Sequence, residues 1–228
     1  MLYTNIHEGI FVFRPNRFIA QIKIDDTVVI AHVKNTGRCK ELLVSGANVI
    51  LQKSDNPKRK TMYDLIAVWK NKRLINIDSQ VPNKVFLEYL QSGQYLDGVT
   101  CIRPEVKYGS SRFDFYVEVG VRKIFLEVKG VTLEENGVVM FPDAPTERGV
   151  KHLNELIMCT KEGYEAHVVF VVQMSNVRYF TPNNKTHPAF GEALFVAKNA
   201  GVNIIALDCV VTKNTLEIGN SVPVKLAE

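Results

Sequence analysis

Two acidic residues and a lysine with the potential for catalysis lie in one stretch of the 228-residue chain, RFDFYVEVGVRKIFLEVKG, at residues 112–130. Apolar and polar residues alternate on both sides of Gly120-Val121, which predicts two strands joined by a two-residue turn. Glycine in the first turn position suits a type II′ hairpin, whose twist matches that of the strands. In this register Asp114 lies directly opposite Glu127, and Lys129 lies two residues further on the same face.

This pair of carboxylates is unfavourable on its own, because cross-strand Cβ atoms lie roughly 5 Å apart and like charges at that separation repel. A divalent cation reverses the sign of the interaction, and hard oxygen ligands suit Mg²⁺ or, in its place, Mn²⁺. Lys129 would hold a phosphate oxygen or orient an attacking water. The three side chains therefore predict metal-assisted phosphodiester hydrolysis, the chemistry of a nuclease.

The plainer alternative is that this face of the hairpin is solvated. Two aromatic residues, Tyr116 and Phe125, argue against it, because they share the face with the carboxylates. We expect a helix predicted over residues 146–162 to cover them. The polar side of that helix carries residues that would bind a nucleic-acid backbone or, alternatively, face solvent: Arg148, Lys151 and His152.

A second two-residue turn is predicted at Gly109-Ser110, just before the hairpin. It would place Glu105 across from Asp114 as a candidate additional acidic residue. The same register would also oppose Lys107 and Arg112, two like charges, so this assignment stays open.

The order of elements predicts an α/β (α+β) protein with two domains. Residues 1–81 contain six short alternating runs separated by turn residues, which is typical of a small barrel compatible with an OB-fold. Residues 82–228 follow the order α-β-β-β-α-β-α-β, which predicts a mixed sheet flanked by helices. The first helix is predicted to begin with Asn83 as its N-cap.

The charge distribution favours a nucleic-acid partner for the barrel domain. The net charge is only +4, but residues 34–60 hold seven Lys/Arg against two acidic residues. Such a patch would follow a phosphate backbone, although surface loops often share this composition. The basic residues predicted to contact nucleic acid outside the 146–162 helix are Lys34, Arg38, Lys40 and Arg112.

The overall composition is that of an ordinary globular protein, with 46% hydrophobic and 23% charged residues. No apolar run approaches the roughly 20 residues of a membrane-spanning helix, and the first residues do not resemble a secretory signal. We therefore expect a cytoplasmic protein with no membrane partner. The four cysteines are far apart in the sequence, which is typical of free thiols in a reducing compartment.

Two resemblances follow from these residues. Asp114 and the Glu127-Val128-Lys129 triplet, in this element order, resemble the PD-(D/E)XK nuclease superfamily. Four longer blocks, AHVKNTGRCKELL, RFDF, LEVKGVTLEE and FPDAPTERGVKHLNEL, resemble the sugar fermentation stimulation protein A (SfsA) family across nearly the whole chain.

The resemblance implies an N-terminal OB-like domain, a C-terminal PD-(D/E)XK restriction-endonuclease-like domain, and a DNA-binding protein linked to sugar catabolism. It also implies that Asp114, Glu127 and the backbone carbonyl of Val128 bind the metal and that Lys129 is catalytic. The proline in the name of the motif is absent, since Phe113 precedes Asp114. Glu88, on the predicted first helix, is a candidate for the further acidic residue of the superfamily.

Two functions remain open at this point. The first is a Mg²⁺-dependent nuclease acting on nucleic acid, most simply DNA. The second is a non-catalytic DNA-binding regulator of maltose-type sugar catabolism whose nuclease site is idle. Many enzymes of this fold form dimers, so a homodimer is also left open.

Overall fold

The computed structural model describes residues 1–35, 37 and 39–226. Arg38, which the sequence predicts as a phosphate contact, lies outside these described residues. None of the described helices is both long enough and apolar enough to cross a membrane.

The first six strands form the predicted barrel. They are β1 (Ile6–Asn16), β2 (Ile19–Ile24), β3 (Thr27–Val33), β4 (Asn48–Lys53), β5 (Tyr63–Lys70) and β6 (Arg73–Asn76). The strand order is β3-β2-β1-β4-β5-β6, and a parallel β3–β5 pairing closes the first five strands into a barrel. Asp25 and Asn71 adopt positive φ in the tight turns after β2 and β5, as asparagine and aspartate tolerate.

The rest of the chain forms a mixed sheet flanked by helices, which confirms the predicted fold class. The order β15-β14-β12-β9-β8-β7 has parallel pairing among β9, β12 and β14 and antiparallel pairing elsewhere. A small sheet, β10-β11-β13, was not predicted. The elements are α1 (Val81–Gln91), β7 (Val99–Tyr108), β8 (Ser111–Val119), β9 (Arg122–Val131), β10 (Leu133–Glu135), β11 (Val138–Phe141), α2 (Glu147–Lys161), β12 (Glu165–Val172), β13 (Tyr179–Pro182), α3 (Pro188–Asn199), β14 (Asn203–Val211) and β15 (Leu216–Ser221).

The two faces of this sheet pack against different helices. Buried side chains of α1, including Phe86, form one apolar cluster with Phe115 and Leu126 of the central hairpin. Buried side chains of α2 and α3 form the other cluster with Phe125. Because Phe125 is 5% exposed and lies beneath α2, the expected cover over the aromatic pair is present.

Both predicted hairpin registers are observed, the β8–β9 register only as far as Phe115. The β8–β9 ladder runs from Val119 opposite Arg122 to Phe115 opposite Leu126, and Gly120 in the turn has φ +56°. The β7–β8 ladder pairs Lys107 with Arg112. The like-charged pair that made this second register doubtful is therefore real and lies at the exposed edge of the sheet.

The first helix begins earlier than predicted. It starts at Val81 with Gln80 in the capping position and Pro82 in the first turn, where proline's missing N–H and fixed φ are favourable. The prediction that Asn83 is the N-cap is therefore wrong. Asn83 lies within the first turn of the helix, and its side chain contacts the site described below.

Barrel and sheet share one interface of buried polar contacts. Gln173, at the end of β12, donates to the side chain of Asn76 at 2.9 Å and to the carbonyl of Asp78 at 3.0 Å. The Asn76 N–H donates back to the Gln173 carbonyl at 2.9 Å. Gly130 permits this approach, because a Cβ there would stand 2.7 Å from Gln173 Oε1 and 2.8 Å from Pro82 Cγ.

Apolar side chains from both halves also pack in one continuous core, which contains Phe11 and Leu65 of the barrel together with Phe113 and Phe170 of the sheet. The division of the chain after residue 81 therefore stays a prediction, since packing does not separate the two halves.

Candidate metal and active centre

The candidate centre lies where strand β8 departs from regular alternation. Residues two apart on a regular strand share a face, yet Phe113 packs on the α2 side of the sheet and Phe115 packs on the α1 side. The β8–β9 ladder ends at Phe115, one residue before Asp114 is reached. The Asp114 side chain therefore sits at a break in the sheet instead of opposing Glu127 in a regular pair, as the sequence had predicted.

Hydrogen bonds fix both oxygens of the Asp114 carboxylate. The Val128 N–H, which has no ladder partner on β8 at this point, donates to Asp114 Oδ2 at 2.7 Å. The Asn83 side-chain amide donates to Asp114 Oδ1 at 2.7 Å. Helix α1 and strand β9 thus hold this carboxylate from two sides, and the side chain replaces a main-chain acceptor.

Glu127 is the buried member of the carboxylate pair, at 3% exposure. Its Oε1 accepts hydrogen bonds from Lys129 Nζ and His152 Nδ1. Its Oε2 is buried and has no hydrogen-bond partner among the described residues. A buried carboxylate oxygen without a partner is costly, so this atom marks a position where a cationic ligand would be stabilised.

The two carboxylates shift each other's proton affinity. Burial, followed by the charge of Glu127, raises the pKa of Asp114 above its ordinary value. Burial also disfavours charged Glu127, but the hydrogen bond from His152 and the charge of Lys129 outweigh it and lower the pKa of Glu127. Glu127 is therefore the anion of the pair, and Asp114 is the member that its environment penalises when charged.

We expect Asp114→Asn to stabilise the metal-free protein at neutral pH by about 1 kcal/mol, because burial and the charge of Glu127 penalise the charged Asp114 carboxylate. A carboxyl whose pKa is raised on folding contributes stability below its unfolded pKa and loses it as pH rises through the folded pKa. The gain should therefore shrink in acid buffer, where wild-type Asp114 is protonated. Urea unfolding at both pH values measures it, and an equal or lower stability at neutral pH would contradict the assignment.

The donor set fits a hard divalent cation. Mg²⁺ is commonly bound through one or two carboxylates and keeps several waters, and Asp114 with Glu127 provides such a pair. Within the described part of the chain, no three His, Cys, Asp or Glu side chains gather into a complete metal cage. A cation here would therefore need backbone or water oxygens as well, and the Val128 carbonyl remains the predicted further ligand.

Helix α2 brings a third element to the centre. Thr146 is the N-cap of this helix, and its side chain accepts a hydrogen bond from the Gly149 N–H at 3.1 Å. His152 is 3% exposed and contacts Glu127. It therefore lies inside the centre. The predicted contact with nucleic acid would require an exposed position, so that prediction is wrong for His152.

The other two predicted basic residues of α2, Arg148 and Lys151, lie at the edge of the centre. Arg148 is exposed and its Nε lies 3.3 Å from His152 Nε2. Lys151 is exposed and donates to the Ser110 carbonyl at 3.0 Å, which ties the helix to the β7–β8 turn. Arg148 and Lys151 remain the residues of α2 that are predicted to contact the phosphate backbone of a nucleic acid.

Two predicted acidic residues, Glu105 and Glu88, form ion pairs with groups outside the carboxylate pair. Glu105 and Arg112 form an exposed ion pair at 3.1 Å, so Glu105 does not join Asp114 as a further acidic ligand. Glu88, the alternative on the first helix, pairs with the N-terminal amine of Met1 at 2.6 Å. Helix α1 contributes the Asn83 amide to the centre, a role that the sequence pattern did not indicate because it favoured a helix cap.

Two predicted barrel contacts have different environments. Lys34 is 19% exposed and lies 3.1 Å from Asp64 and 3.4 Å from Asp78, so its charge is already compensated within the fold. Lys40 is exposed and, in the described residues, forms no ion pair. Lys40 is therefore the better placed of the two for a phosphate.

A closed barrel of the OB type, joined to a mixed sheet that carries a carboxylate pair and a lysine at a break between its central strands, gives the chain an OB-like half and a restriction-endonuclease-like half. The family described as "Sugar fermentation stimulation protein RE domain" matches residues 80–215, and "SfsA N-terminal OB domain" matches residues 12–77. The chain belongs to the sugar fermentation stimulation protein (SfsA) family.

Relatives are similar to this chain along its full length. A sugar fermentation stimulation protein homolog of Desulfitobacterium hafniense (strain Y51) is 61% identical over 228 residues, covering 100% of both chains. A homolog from Clostridium beijerinckii is 59% identical and covers 99% of this chain and 100% of its own. The solved structure of Pyrococcus furiosus SfsA in complex with Ca²⁺ has a TM-score of 0.89 at 30% identity, with 99% of this chain and 98% of that chain covered.

Proposed function

We propose that this protein is a divalent-cation-dependent phosphodiesterase that cleaves nucleic acid, most simply DNA. The observation that carries the proposal is the unpartnered Oε2 of buried Glu127, beside Asp114 and within reach of Lys129. A fold that needed only stability would not keep a partnerless anionic oxygen next to a second carboxylate. A metal site would remove both penalties.

Each residue has a distinct role in this proposal. When bound, a divalent cation supplies charge neutralisation at the phosphate and a water of lowered pKa. Asp114 and Glu127 bind it, and Asn83 holds Asp114 in place. Lys129, 17% exposed, presents its ammonium to the scissile phosphate or the attacking water once its hydrogen bond to Glu127 is exchanged.

The structure of the Pyrococcus furiosus relative supports a hard divalent cation in the family, since that protein was solved in complex with Ca²⁺. Ca²⁺ and Mg²⁺ both prefer oxygen ligands. Ca²⁺ is larger and more flexibly coordinated, so the proposal names Mg²⁺, or Mn²⁺ in its place, as the ion that supports cleavage here.

A groove on the barrel supports a nucleic-acid substrate. It has a volume of about 460 Å³, and its charged lining residues are all basic: Arg14, Arg17 and Lys40. Phe13 lines the same groove at 52% exposure, and Phe18 stands nearby in sequence at 51% exposure. Exposed aromatic rings beside basic side chains are the combination that stacks bases and follows a phosphate backbone.

The loop that follows β3, with Asn35 and Gly37, borders both this groove and strand β9. Arg14 donates to the carbonyls of Gly37 at 3.1 Å and Asn35 at 2.8 Å. On its other side, the loop lines a cavity of about 180 Å³ together with Gly130, the residue that follows Lys129. Asn35 and Gly37 therefore connect the groove residue Arg14 with the strand that carries Glu127 and Lys129.

We expect the double substitution Arg17→Gln/Lys40→Gln to weaken binding of single-stranded DNA and to reduce its salt dependence. Loss of two phosphate contacts should lower the slope of log K against log salt by about 0.7 for each contact. Phe13→Ala should cost about 1–3 kcal/mol of stacking energy and should affect single strands more than duplexes. Fluorescence anisotropy at several salt concentrations measures both effects.

The matched control is Lys123→Gln/Lys161→Gln, which removes two exposed cations outside the groove. It should leave the slope near the wild-type value. An equal reduction in both double variants would assign binding to net charge alone and would remove the groove from the proposal.

The test of the activity is a cleavage screen with single-stranded, duplex and branched substrates in Mg²⁺, Mn²⁺ or EDTA. Asp114→Asn/Glu127→Gln should be inactive in every condition, while wild type should cleave at least one substrate in a metal-dependent way. Retained binding without any cleavage by wild type would favour the alternative, a DNA-binding regulator with an idle site. Equal cleavage by wild type and the double variant would indicate a contaminating nuclease.

A further inference from the structure

We propose that His152 is a positioning residue that fixes Glu127 by hydrogen bonding and so directs Glu127 Oε2 toward the cation. This inference rests on the proposed function. It assigns His152 a task inside the centre, in place of the predicted contact with nucleic acid.

The contacts of His152 define which ring nitrogen carries the proton. Arg148 Nε lies 3.3 Å from His152 Nε2, and arginine can only donate. Nε2 must therefore accept, which leaves Nδ1 to carry the hydrogen of a neutral imidazole. Nδ1 contacts Glu127 Oε1, so the direction of donation runs from Arg148 to His152 to Glu127.

This chain of donors leaves the two Glu127 oxygens unequal. Oε1 accepts from both Lys129 and His152, whereas Oε2 is buried without a partner. A glutamate side chain has rotatable bonds that a single flexible lysine would not fix. His152 is 3% exposed and its ring meets that of Phe113 edge-on, with centroids 6.1 Å apart. A packed imidazole on a helix therefore supplies the rigidity.

Residues that orient metal ligands through hydrogen bonds affect metal binding strongly, commonly by about 10- to 100-fold when they are removed. A residue that merely fills space in the core would show no such dependence on its donor atom. The two roles can therefore be separated by substitutions that differ in hydrogen bonding and resemble each other in size.

The decisive comparison is His152→Asn against His152→Leu, in the full chain. The asparagine amide can place an N–H near the position of Nδ1, whereas leucine fills similar space without a donor. Mn²⁺ affinity is measured by isothermal titration calorimetry, with urea unfolding of the metal-free proteins as the check on folding. We expect His152→Leu to weaken Mn²⁺ binding about 10-fold or more relative to wild type. His152→Asn should bind Mn²⁺ with an affinity much closer to that of wild type.

A second readout needs neither metal nor substrate. In ¹⁵N NMR spectra of metal-free protein, His152 Nδ1 should appear protonated and Nε2 unprotonated, and Arg148→Met should weaken this preference. The inference would be overturned if His152→Leu and His152→Asn bound Mn²⁺ equally well, or if the proton were found on Nε2 in place of Nδ1. In either case, Mn²⁺ binding by wild type would leave the proposed function intact. Failure of wild type itself to bind Mn²⁺ would instead overturn both.

Discussion

Glu127→Gln is expected to reduce metal-dependent cleavage by about 1,000-fold or more, which corresponds to about 4 kcal/mol of transition-state stabilisation. The substitution removes the buried negative charge that Lys129 and His152 stabilise. It also makes one of the two side-chain positions an NH₂ group, which donates hydrogen bonds and cannot bind a cation. Calorimetric titration with Mn²⁺ should show the loss of affinity, and single-turnover cleavage should show the loss of rate.

The matched control for this prediction is Glu118→Gln on the same hairpin. Glu118 pairs with Lys123 across the strands and accepts from the Tyr116 hydroxyl at 2.7 Å, outside the carboxylate pair. This variant should retain wild-type metal affinity and cleavage. If Glu127→Gln kept more than a tenth of the wild-type rate, the buried carboxylate would not be a metal ligand.

Lys129→Met is expected to separate catalysis from metal binding. Methionine keeps an unbranched side chain of similar reach and removes the ammonium, so stabilisation of the phosphate or the attacking water is lost. A positioned group of this kind contributes about 10²–10⁴-fold to the rate. Metal affinity should be equal to wild type or tighter, because the positive charge of Lys129 next to Glu127 is removed.

The control is Lys123→Met, which removes an exposed lysine from the turn end of the same strand. Cleavage by that variant should be unchanged. A parallel loss of metal affinity and rate in Lys129→Met would show that the lysine supports the metal site structurally, and a rate near wild type would remove it from the chemistry altogether.

The hairpin could be predicted in detail because its apolar face specifies register. From Phe115 to Val119 the strand alternates strictly, and each residue pairs as expected. The same rule failed at Phe113, which packs on the opposite face from Phe115. A strand break leaves no periodic signal, since the Asp114 carboxylate takes the place of a backbone acceptor only after the fold has formed.

The roles of Asn83 and His152 were also beyond sequence patterns. Asparagine after a proline is typical of a helix start, so the pattern favoured a cap, but the helix began at Val81. His152 shares a helical face with Arg148 and Lys151, yet α2 is rotated so that the imidazole lies inward. Tertiary packing determines that rotation of α2 about its axis. The periodicity of a single helix does not predict the rotation accurately enough to tell which of two neighbouring residues faces inward.

The β10-β11-β13 sheet was missed for a different reason. Its strands are 3, 4 and 4 residues long, too short to establish an alternating pattern. It pairs β11 in parallel with β13 from beyond α2, and such long-range pairing leaves no local trace in the chain.

The joint between barrel and sheet has a consequence for the fragments that a cut would release. Gln173, Asn76 and Asp78 lock the two halves through buried hydrogen bonds, and one apolar core runs through both. The distance between the barrel and the carboxylate pair would then be fixed. A nucleic-acid strand bound to the barrel would be cut at a constant number of nucleotides from the bound segment. Digestion of end-labelled strands would leave narrow bands of uniform offset in place of a ladder.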